Sequence, residues 1–367
     1  MRETISRRYF LDTAIGAGLA ARAAAQEKQV LEQVVPNDRK ASVSIAHGDE
    51  RRRIVSESLA AIDDQIRPVL KRKKYVIIKP NMVSTENQLA ATHADALHGI
   101  LDYLEPRFKG PVIIAESSAG DTMHGFENFK YQQVVNEHRR RKVSLLDLNR
   151  DGRYQTIPLI DYDWHVTPVR LAAPLLDPDA YVICAAILKT HNVTVATLSV
   201  KNMTLGAPLR SVPKQGPAWN DKRKYHNGVR GTHYNMFLTA QKMKPFWGAT
   251  VIDGFEGMEG NGPSSGTPVA SRIAIASTDY VAADRVGVEC MGINPDWLGY
   301  LQYCSQCGIG QYDLAKISVR GAKIADVKKT YRLHRDIERE LLWMGPMEEL
   351  PPKLGMGPRQ PDIPVEA

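Results

Sequence analysis

Polar side chains that could bind a charged ligand cluster directly after several apolar runs of the sequence. Each run is short and continuous, as the buried strands of a parallel sheet are. Ligands of open α/β sheets bind beyond the carboxyl ends of the strands, so these side chains are predicted to share one cleft. The segments that follow the runs are Lys79-Pro80-Asn81, Glu116-Ser117-Ser118, Lys189-Thr190-His191-Asn192, Asp253-Gly254-Phe255-Glu256 and Ser277-Thr278-Asp279.

The residue types in this predicted cleft favour an anionic ligand. Ammonium groups and asparagine amides donate hydrogen bonds to carboxylate or phosphate oxygens. The candidate ligand-binding residues are Lys79, Asn81, Glu116, Lys201, Asn202, Glu256 and Asp279, and the candidate catalytic residues are His191, Lys189 and Asp253. His191 is the predicted acid or base, and the carboxylates are expected to orient the lysines or hold a cation. For each residue taken alone, a surface or structural role is the alternative.

A divalent metal ion is a second candidate for the cleft. Its candidate ligands are His191, His226, His233 and Asp253. The histidines lack the H-x-x-x-H and H-E-x-x-H spacings of common metal motifs, so metal binding and a structural role both stay open. The glycine-rich stretch at residues 257–266 is likewise either a loop that approaches a ligand closely or a mobile hairpin between strands.

The order of the predicted elements favours an α/β fold. A helix is predicted first, at residues 54–70. Strands at 75–78, 112–115 and 143–148 then alternate with helices at 93–104 and 128–139. This order is typical of a mostly parallel central sheet with helices on both faces. We predict one α/β domain over residues 51–330, built as a single unit or as two closely packed lobes. A C-terminal helix and a proline-rich tail are predicted over residues 331–367.

The charge and the cysteines exclude two classes of function. The net charge of +7 is modest, and the basic runs lack interleaved aromatic residues, so no nucleic-acid partner is predicted. Cys304 and Cys307 form the one C-x-x-C pair among four cysteines, and an iron–sulfur cluster needs four ligands. No such cluster is expected. Whether Cys304 and Cys307 form a disulfide or two packed thiols stays open.

The N-terminus resembles a twin-arginine export signal. Arg7-Arg8 precedes a short apolar stretch and the small residues Ala23-Ala24-Ala25. We therefore predict a signal peptide at residues 1–25 and a flexible lead-in at 26–50. The twin-arginine translocase is then a partner during export, and the protein is periplasmic or otherwise exported. The apolar stretch is too short to span a bilayer stably, so no permanent membrane anchor is expected.

Several of these motifs occur together in a known family. The chain from about residue 74 to residue 321 resembles the domain of unknown function 362 family. The motifs are Lys79-Pro80-Asn81, Lys189-Thr190-His191 followed by Lys201-Asn202 and Gly206, Gly260-Asn261-Gly262-Pro263, the run from Ala276 to Asp284, Met291-Gly292-Ile293-Asn294-Pro295 and Gly308-Ile309-Gly310. The resemblance implies a shared site and names no reaction. Some members carry a ferredoxin-type cysteine cluster, from which this sequence departs.

Two classes of function fit these features. The first is an exported enzyme that binds an anionic small molecule in a cleft lined by lysine, histidine and aspartate. The second is a non-catalytic periplasmic protein that binds a ligand or handles a cofactor. The two differ in whether a titratable group lies at reacting distance from the bound molecule.

Overall fold

The computed structural model describes residues 37–139, 141–212 and 216–345. The predicted signal peptide, residues 26–36 of the predicted lead-in and the proline-rich tail after residue 345 lie outside these residues. Ala41–His47 of the predicted lead-in form a strand of the central sheet.

A ten-stranded mixed sheet forms the centre of the fold, in the order β12-β1-β11-β9-β7-β2-β3-β4, with β8 beside β7 and β10 beside β9. The strands are β1 (Ala41–His47), β2 (Tyr75–Pro80), β3 (Val112–Glu116), β4 (Val143–Asp147), β7 (Ala180–His191), β8 (Val195–Thr197), β9 (Trp247–Glu259), β10 (Thr267–Val269), β11 (Ile273–Ser277) and β12 (Ile317–Gly321), while β5 (Tyr154–Ile160) and β6 (Val166–Ala172) form a separate hairpin. Neighbours from β9 to β4 are parallel, which confirms the predicted mostly parallel sheet. β11 is antiparallel to both of its neighbours.

Helices cover both faces of the sheet. They are α1 (Arg51–Ala60), α2 (Asp63–Leu70), α3 (Ala94–Leu104), α4 (Thr122–Asn128), α5 (Tyr131–Glu137), α6 (Leu148–Asp151), α7 (Ser199–Gly206), α8 (Gly228–Met243), α9 (Tyr280–Cys290), α10 (Gly299–Gln306), α11 (Ile324–Val327) and α12 (Ile337–Glu340). The central strand β7 is buried along its whole length. Val182 and Leu188 pack into one apolar core, while Tyr181 and Ile183 pack into the other. The period-two alternation of a strand explains this division, because successive side chains point to opposite faces.

The strand order reverses between β2 and β7. The chain passes from β2 outward to β3 and β4, then returns to place β7 and β9 on the other side of β2. In open α/β sheets the crevice at such a reversal, outside the carboxyl ends of the strands, is where ligands bind. The fold therefore places a candidate site where β2, β3 and β7 end.

Three predicted helices differ from the structure. The helix predicted at 54–70 is divided into α1 and α2, and the one predicted at 128–139 is replaced by α4 and α5. The predicted C-terminal helix begins too early. Its first residues instead bond to neighbouring loops, since Tyr331 N donates to the Met291 carbonyl and the Arg332 carbonyl accepts from Gly260 N. Among the described residues, no helix combines the length and apolar character needed to cross a bilayer.

Candidate active site

A cavity of about 280 Å³ opens at the carboxyl ends of β2, β3 and β7. Its lining includes Lys79, Asn81, Glu116, His191, Lys201, Asn202, Lys222, His226 and Pro263. Seven of these nine residues, all except Lys222 and Pro263, are among the candidates chosen from the sequence. Helix α7 borders the cavity and contributes two of them, Lys201 and Asn202.

A buried ion pair lies at the base of the cavity. The Lys79 ammonium group is 3.0 Å from Glu116 Oε2 and 3.2 Å from Glu116 Oε1, and both side chains are buried. Glu116 Oε1 also accepts a hydrogen bond from the backbone amide of Ser117 at 2.7 Å. Burial raises the pKa of the Glu116 carboxyl, while the ammonium groups of Lys79 and Lys222 oppose this shift. Burial costs both charges their hydration, so each depends on the other.

The Lys79 ammonium group also leaves no room for a side chain at the end of α7. A Cβ atom on Gly206 would overlap Lys79 Nζ. The absence of a side chain at residue 206 therefore allows the helix to approach the ion pair.

Two asparagines connect β2 to α7. Asn202 Oδ1 accepts from Lys79 Nζ at 3.2 Å and from Asn81 Nδ2 at 3.1 Å. Asn81 Oδ1 is buried and has no hydrogen-bond partner among the described residues. A buried acceptor without a donor is uncommon and costly, so this atom marks a place where a ligand donor would be favourable.

Lys201 is a buried cation without a counter-ion. Its side chain is 6% exposed, and within the described chain no hydrogen bond or ion pair holds its ammonium group. Burial, reinforced by the nearby charge of Lys79, lowers the pKa of Lys201 to about 7. The amine is therefore partly neutral at physiological pH, as the reactive lysines of enzymes are.

A buried carboxylate fixes the helix that carries Lys201. Asp284 on α9 accepts from the backbone amides of Ser199 at 2.7 Å and Val200 at 3.0 Å. These are the amides at the start of α7, which have no partner within the helix. Asp284 thus positions Lys201 and Asn202 without lining the cavity.

His191 presents a hydrogen-bond donor. Its Nδ1 accepts from the backbone amides of Val193 at 3.1 Å and Thr194 at 3.4 Å. Burial, with a further contribution from Lys201, lowers the pKa of His191 well below its usual value, so the ring is neutral. With Nδ1 acting as acceptor, the hydrogen-bond network assigns the single proton to Nε2.

Lys189 lies behind the cavity lining. Its Nζ donates to the carbonyls of Ala90 at 3.2 Å and Pro263 at 3.1 Å. Burial and the charge of Lys201 lower the pKa of Lys189 well below its usual value. Lys189 thereby joins the loop after β2 to the glycine-rich loop after β9, of which Pro263 lines the cavity.

Comparison with known proteins identifies the domain. The family model described as a domain of unknown function (DUF362) matches residues 76–289. The chain belongs to this family. The match confirms the family resemblance, and residues 76–289 include every residue that lines the cavity.

Two further similarities are more distant. A thylakoid-associated protein of Synechocystis sp. is 25% identical over 224 residues, which are 60% of this chain and 64% of that protein. A crystal structure of a protein from Thermotoga maritima is similar with a TM-score of 0.39 and 14% identity, over 60% of this chain and 54% of that chain. The family assignment of this DUF362 protein rests on the family model.

Three carboxylates that were predicted to join the cleft lie elsewhere. Asp253 is buried within β9, and its Oδ2 is 3.1 Å from Arg51 Nε on α1. Glu256 is exposed. Asp279 is the N-cap of α9, where it accepts from Ala282 N at 3.0 Å and Gln311 N at 2.9 Å. The predicted placement of these three groups beside the lysines is therefore wrong.

The candidate metal ligands are also separated. His191 and His226 line the cavity, whereas His233 is buried on α8, stacks on Tyr300 and accepts from its backbone amide. Asp253 is paired with Arg51. Within the described ranges, no three histidine, cysteine, aspartate or glutamate side chains form a group able to hold a metal ion.

The four cysteines form no disulfide, because all four thiols are free. Cys304 is buried and Cys307 is exposed.

Lys222 lines the cavity but is not among the candidates chosen from the sequence. Its Nζ donates to Ser117 Oγ and to the carbonyls of Leu205 and Gly206 at 3.1–3.3 Å. Burial lowers its pKa to about 7, although Glu116 opposes the shift. It lies in a short 3₁₀ helix (Asp221–Tyr225) whose charged sequence resembles a solvated turn, so no periodic signal marked it.

Proposed function

We propose that this DUF362 domain binds a small anionic molecule in the cavity and acts on it as an enzyme. The observation that carries the proposal is an excess of lysines over carboxylates in the cavity lining. Lys79, Lys201 and Lys222 line it, together with one carboxylate, that of Glu116. Buried cations without counter-ions are costly and are retained where they serve a function. An anionic ligand would supply the missing negative charge.

The catalytic part of the proposal rests on Lys201 and His191. An amine whose pKa is near 7 can accept a proton or act as a nucleophile at physiological pH. His191 Nε2–H would donate a hydrogen bond to an oxygen of the ligand that gains charge during the reaction. Nδ1 of His191 already accepts from two backbone amides, so Nε2 keeps the ring proton. The proposed role of His191 is therefore oxyanion stabilisation, in place of proton transfer or metal ligation.

Sulfate titration at several pH values tests anion binding. Sulfate stays a dianion between pH 6 and pH 9, so any change in affinity comes from the protein. Lys201 and Lys222 lose their protons as the pH rises through about 7. We therefore expect the sulfate dissociation constant, measured by calorimetry, to increase by about tenfold or more between pH 6 and pH 8.

A surface lysine provides the control for that titration. Lys242 is exposed on α8, and Lys242→Ala should bind sulfate with the wild-type pH dependence. Absence of saturable sulfate binding at pH 6, or an affinity independent of pH, would contradict the proposal.

We further propose that the protein is exported by the twin-arginine translocase to the periplasm. The support is the Arg7-Arg8 motif and the small residues at 23–25. Replacing both arginines with lysine keeps the charge and removes the guanidinium pair, so the precursor should accumulate in the cytoplasm. Cell fractionation measures this, and export of the double variant at the wild-type level would overturn the proposal.

A further inference from the structure

The lysines around the cavity differ in what holds them. Lys79 donates to Glu116 and Asn202, and Lys222 donates to three oxygen acceptors. Lys201 has none of these partners within the described chain, although it is buried and lines the same cavity. Acceptors of the fold engage Nζ of Lys79 and of Lys222, whereas Nζ of Lys201 has no hydrogen-bond partner within the described chain and can react when it is neutral.

The surroundings of Lys201 fit a ligand with both a carboxylate and a carbonyl group. The donors of Lys79 and Lys222 are taken by the fold, so these two lysines would attract the carboxylate through their charge alone, and His191 Nε2–H would donate to the carbonyl oxygen. Asn81 Oδ1 needs a hydrogen-bond donor, which a simple anion does not bring. A hydroxyl group formed from the carbonyl oxygen during the reaction would bring one.

We propose that Lys201 forms an imine with a small 2-oxo carboxylate bound in this cavity. The inference rests on the proposed anion site and names the substrate class and the reacting atom. The neutral Nζ attacks the carbonyl carbon, a C–N bond forms, and the former carbonyl oxygen takes up the proton that the nitrogen loses. Expulsion of that hydroxyl as water, with the second amine proton, leaves the C=N bond and consumes no oxidant or reductant. The pKa of Lys201, about 7, supplies the neutral amine that the first step needs.

The cavity limits the size of the substrate. About 280 Å³ is just below the range of about 300–1,000 Å³ that is usual for small-molecule sites. Pyruvate is therefore a suitable probe, since it carries the carboxylate and the carbonyl group with one methyl group.

Reductive trapping tests the imine. The full-length protein is incubated with pyruvate and sodium cyanoborohydride, which reduces imines to stable amines, and the modified peptide is identified by mass spectrometry. We expect a single adduct on Lys201, suppressed at least tenfold by saturating sulfate. Lys201→Arg keeps the charge and should abolish the adduct, whereas Lys242→Arg should leave it unchanged.

The outcomes separate the inference from the proposed function. Sulfate binding without a Lys201 adduct, or with adducts spread over exposed lysines, overturns the imine and leaves the anion site intact. A Lys201 adduct that sulfate does not suppress supports the reactive amine and overturns its placement in an anion site. Absence of both sulfate binding and the adduct overturns both.

Discussion

The Lys201→Met variant is expected to be more stable than the wild-type protein by about 2–4 kcal/mol at pH 7, and to bind sulfate at least about tenfold more weakly. Methionine fills nearly the same volume as the lysine stem without the buried amine. Since no hydrogen bond of the described chain holds that amine, its removal leaves no partner unsatisfied. A residue that destabilises the fold and is needed for binding is characteristic of a functional site.

The pH dependence identifies the origin of this gain in stability. In the unfolded chain a lysine is protonated below about pH 10.4, whereas the pKa of Lys201 in the folded protein is about 7. Between these values unfolding takes up a proton, so the lysine destabilises the fold increasingly as the pH falls from about 10 to about 7. The stability difference between Lys201→Met and wild type should therefore be largest at or below pH 7 and vanish near pH 10.5.

Urea unfolding at several pH values measures this difference. Lys242→Met is the matched control, because its side chain is exposed and its replacement should not change the pH dependence. A Lys201→Met variant that is less stable than wild type at pH 7 would show that Lys201 contributes to the fold as a structural residue.

The parallel part of the sheet explains which site residues the sequence could predict. Lys79, Glu116 and His191 end or follow the neighbouring parallel strands β2, β3 and β7. Apolar runs followed by polar residues mark such strand ends, and parallel strands bring their carboxyl ends to one edge of a sheet. These two facts were enough to bring residues more than one hundred positions apart into one predicted cleft.

The direction and length of strands explain the carboxylates that were misplaced. β11 is antiparallel to β9, so its carboxyl end, which leads to Asp279, lies at the opposite edge from the cavity. β9 continues to Glu259, so Asp253 lies within the strand and not at its end. An apolar run reveals neither the direction of a strand nor a continuation through Gly254 and Gly257.

The glycine-rich loop shows where the end of β9 lies. Met258 pairs with Lys189 of β7, so the loop that follows reaches the level of the cavity. A Cβ atom on Gly262 would overlap the Thr190 carbonyl, which explains why the loop can pack so closely on β7. The sequence left open whether this stretch approaches a ligand closely or forms a mobile hairpin between two strands, and it did not indicate the close contact with β7.

The Glu116→Gln variant is expected to lose about 3–5 kcal/mol of stability, because it leaves the Lys79 ammonium group buried without its counter-ion. Glutamine keeps the carbonyl oxygen that accepts from Ser117 N, so the loss reports mainly on the charge. Adding Lys79→Met removes the unpaired cation, and the double variant should recover most of the lost stability. Urea unfolding at pH 7 measures all three proteins.

An exposed ion pair provides the comparison that shows the effect of burial. Lys74 Nζ lies 2.7 Å from Asp179 Oδ2, closer than the buried pair, yet the two side chains are 74% and 48% exposed. Asp179→Asn should therefore change the stability little, because water solvates the lysine that loses its partner. If Glu116→Gln and Asp179→Asn lost equal amounts of unfolding free energy, burial would not be the reason that Lys79 depends on Glu116.

Sulfate separates the two roles of the Lys79–Glu116 pair. In Glu116→Gln the cavity has lost its carboxylate, so the proposed anion site should bind sulfate more tightly than in wild type. Sulfate should also restore part of the lost stability, since a ligand that binds the folded state stabilises it by mass action. If Glu116→Gln is destabilised but sulfate neither binds more tightly nor restores stability, then Lys79 serves the fold alone. The proposed anion site would then have to rest on Lys201 and Lys222.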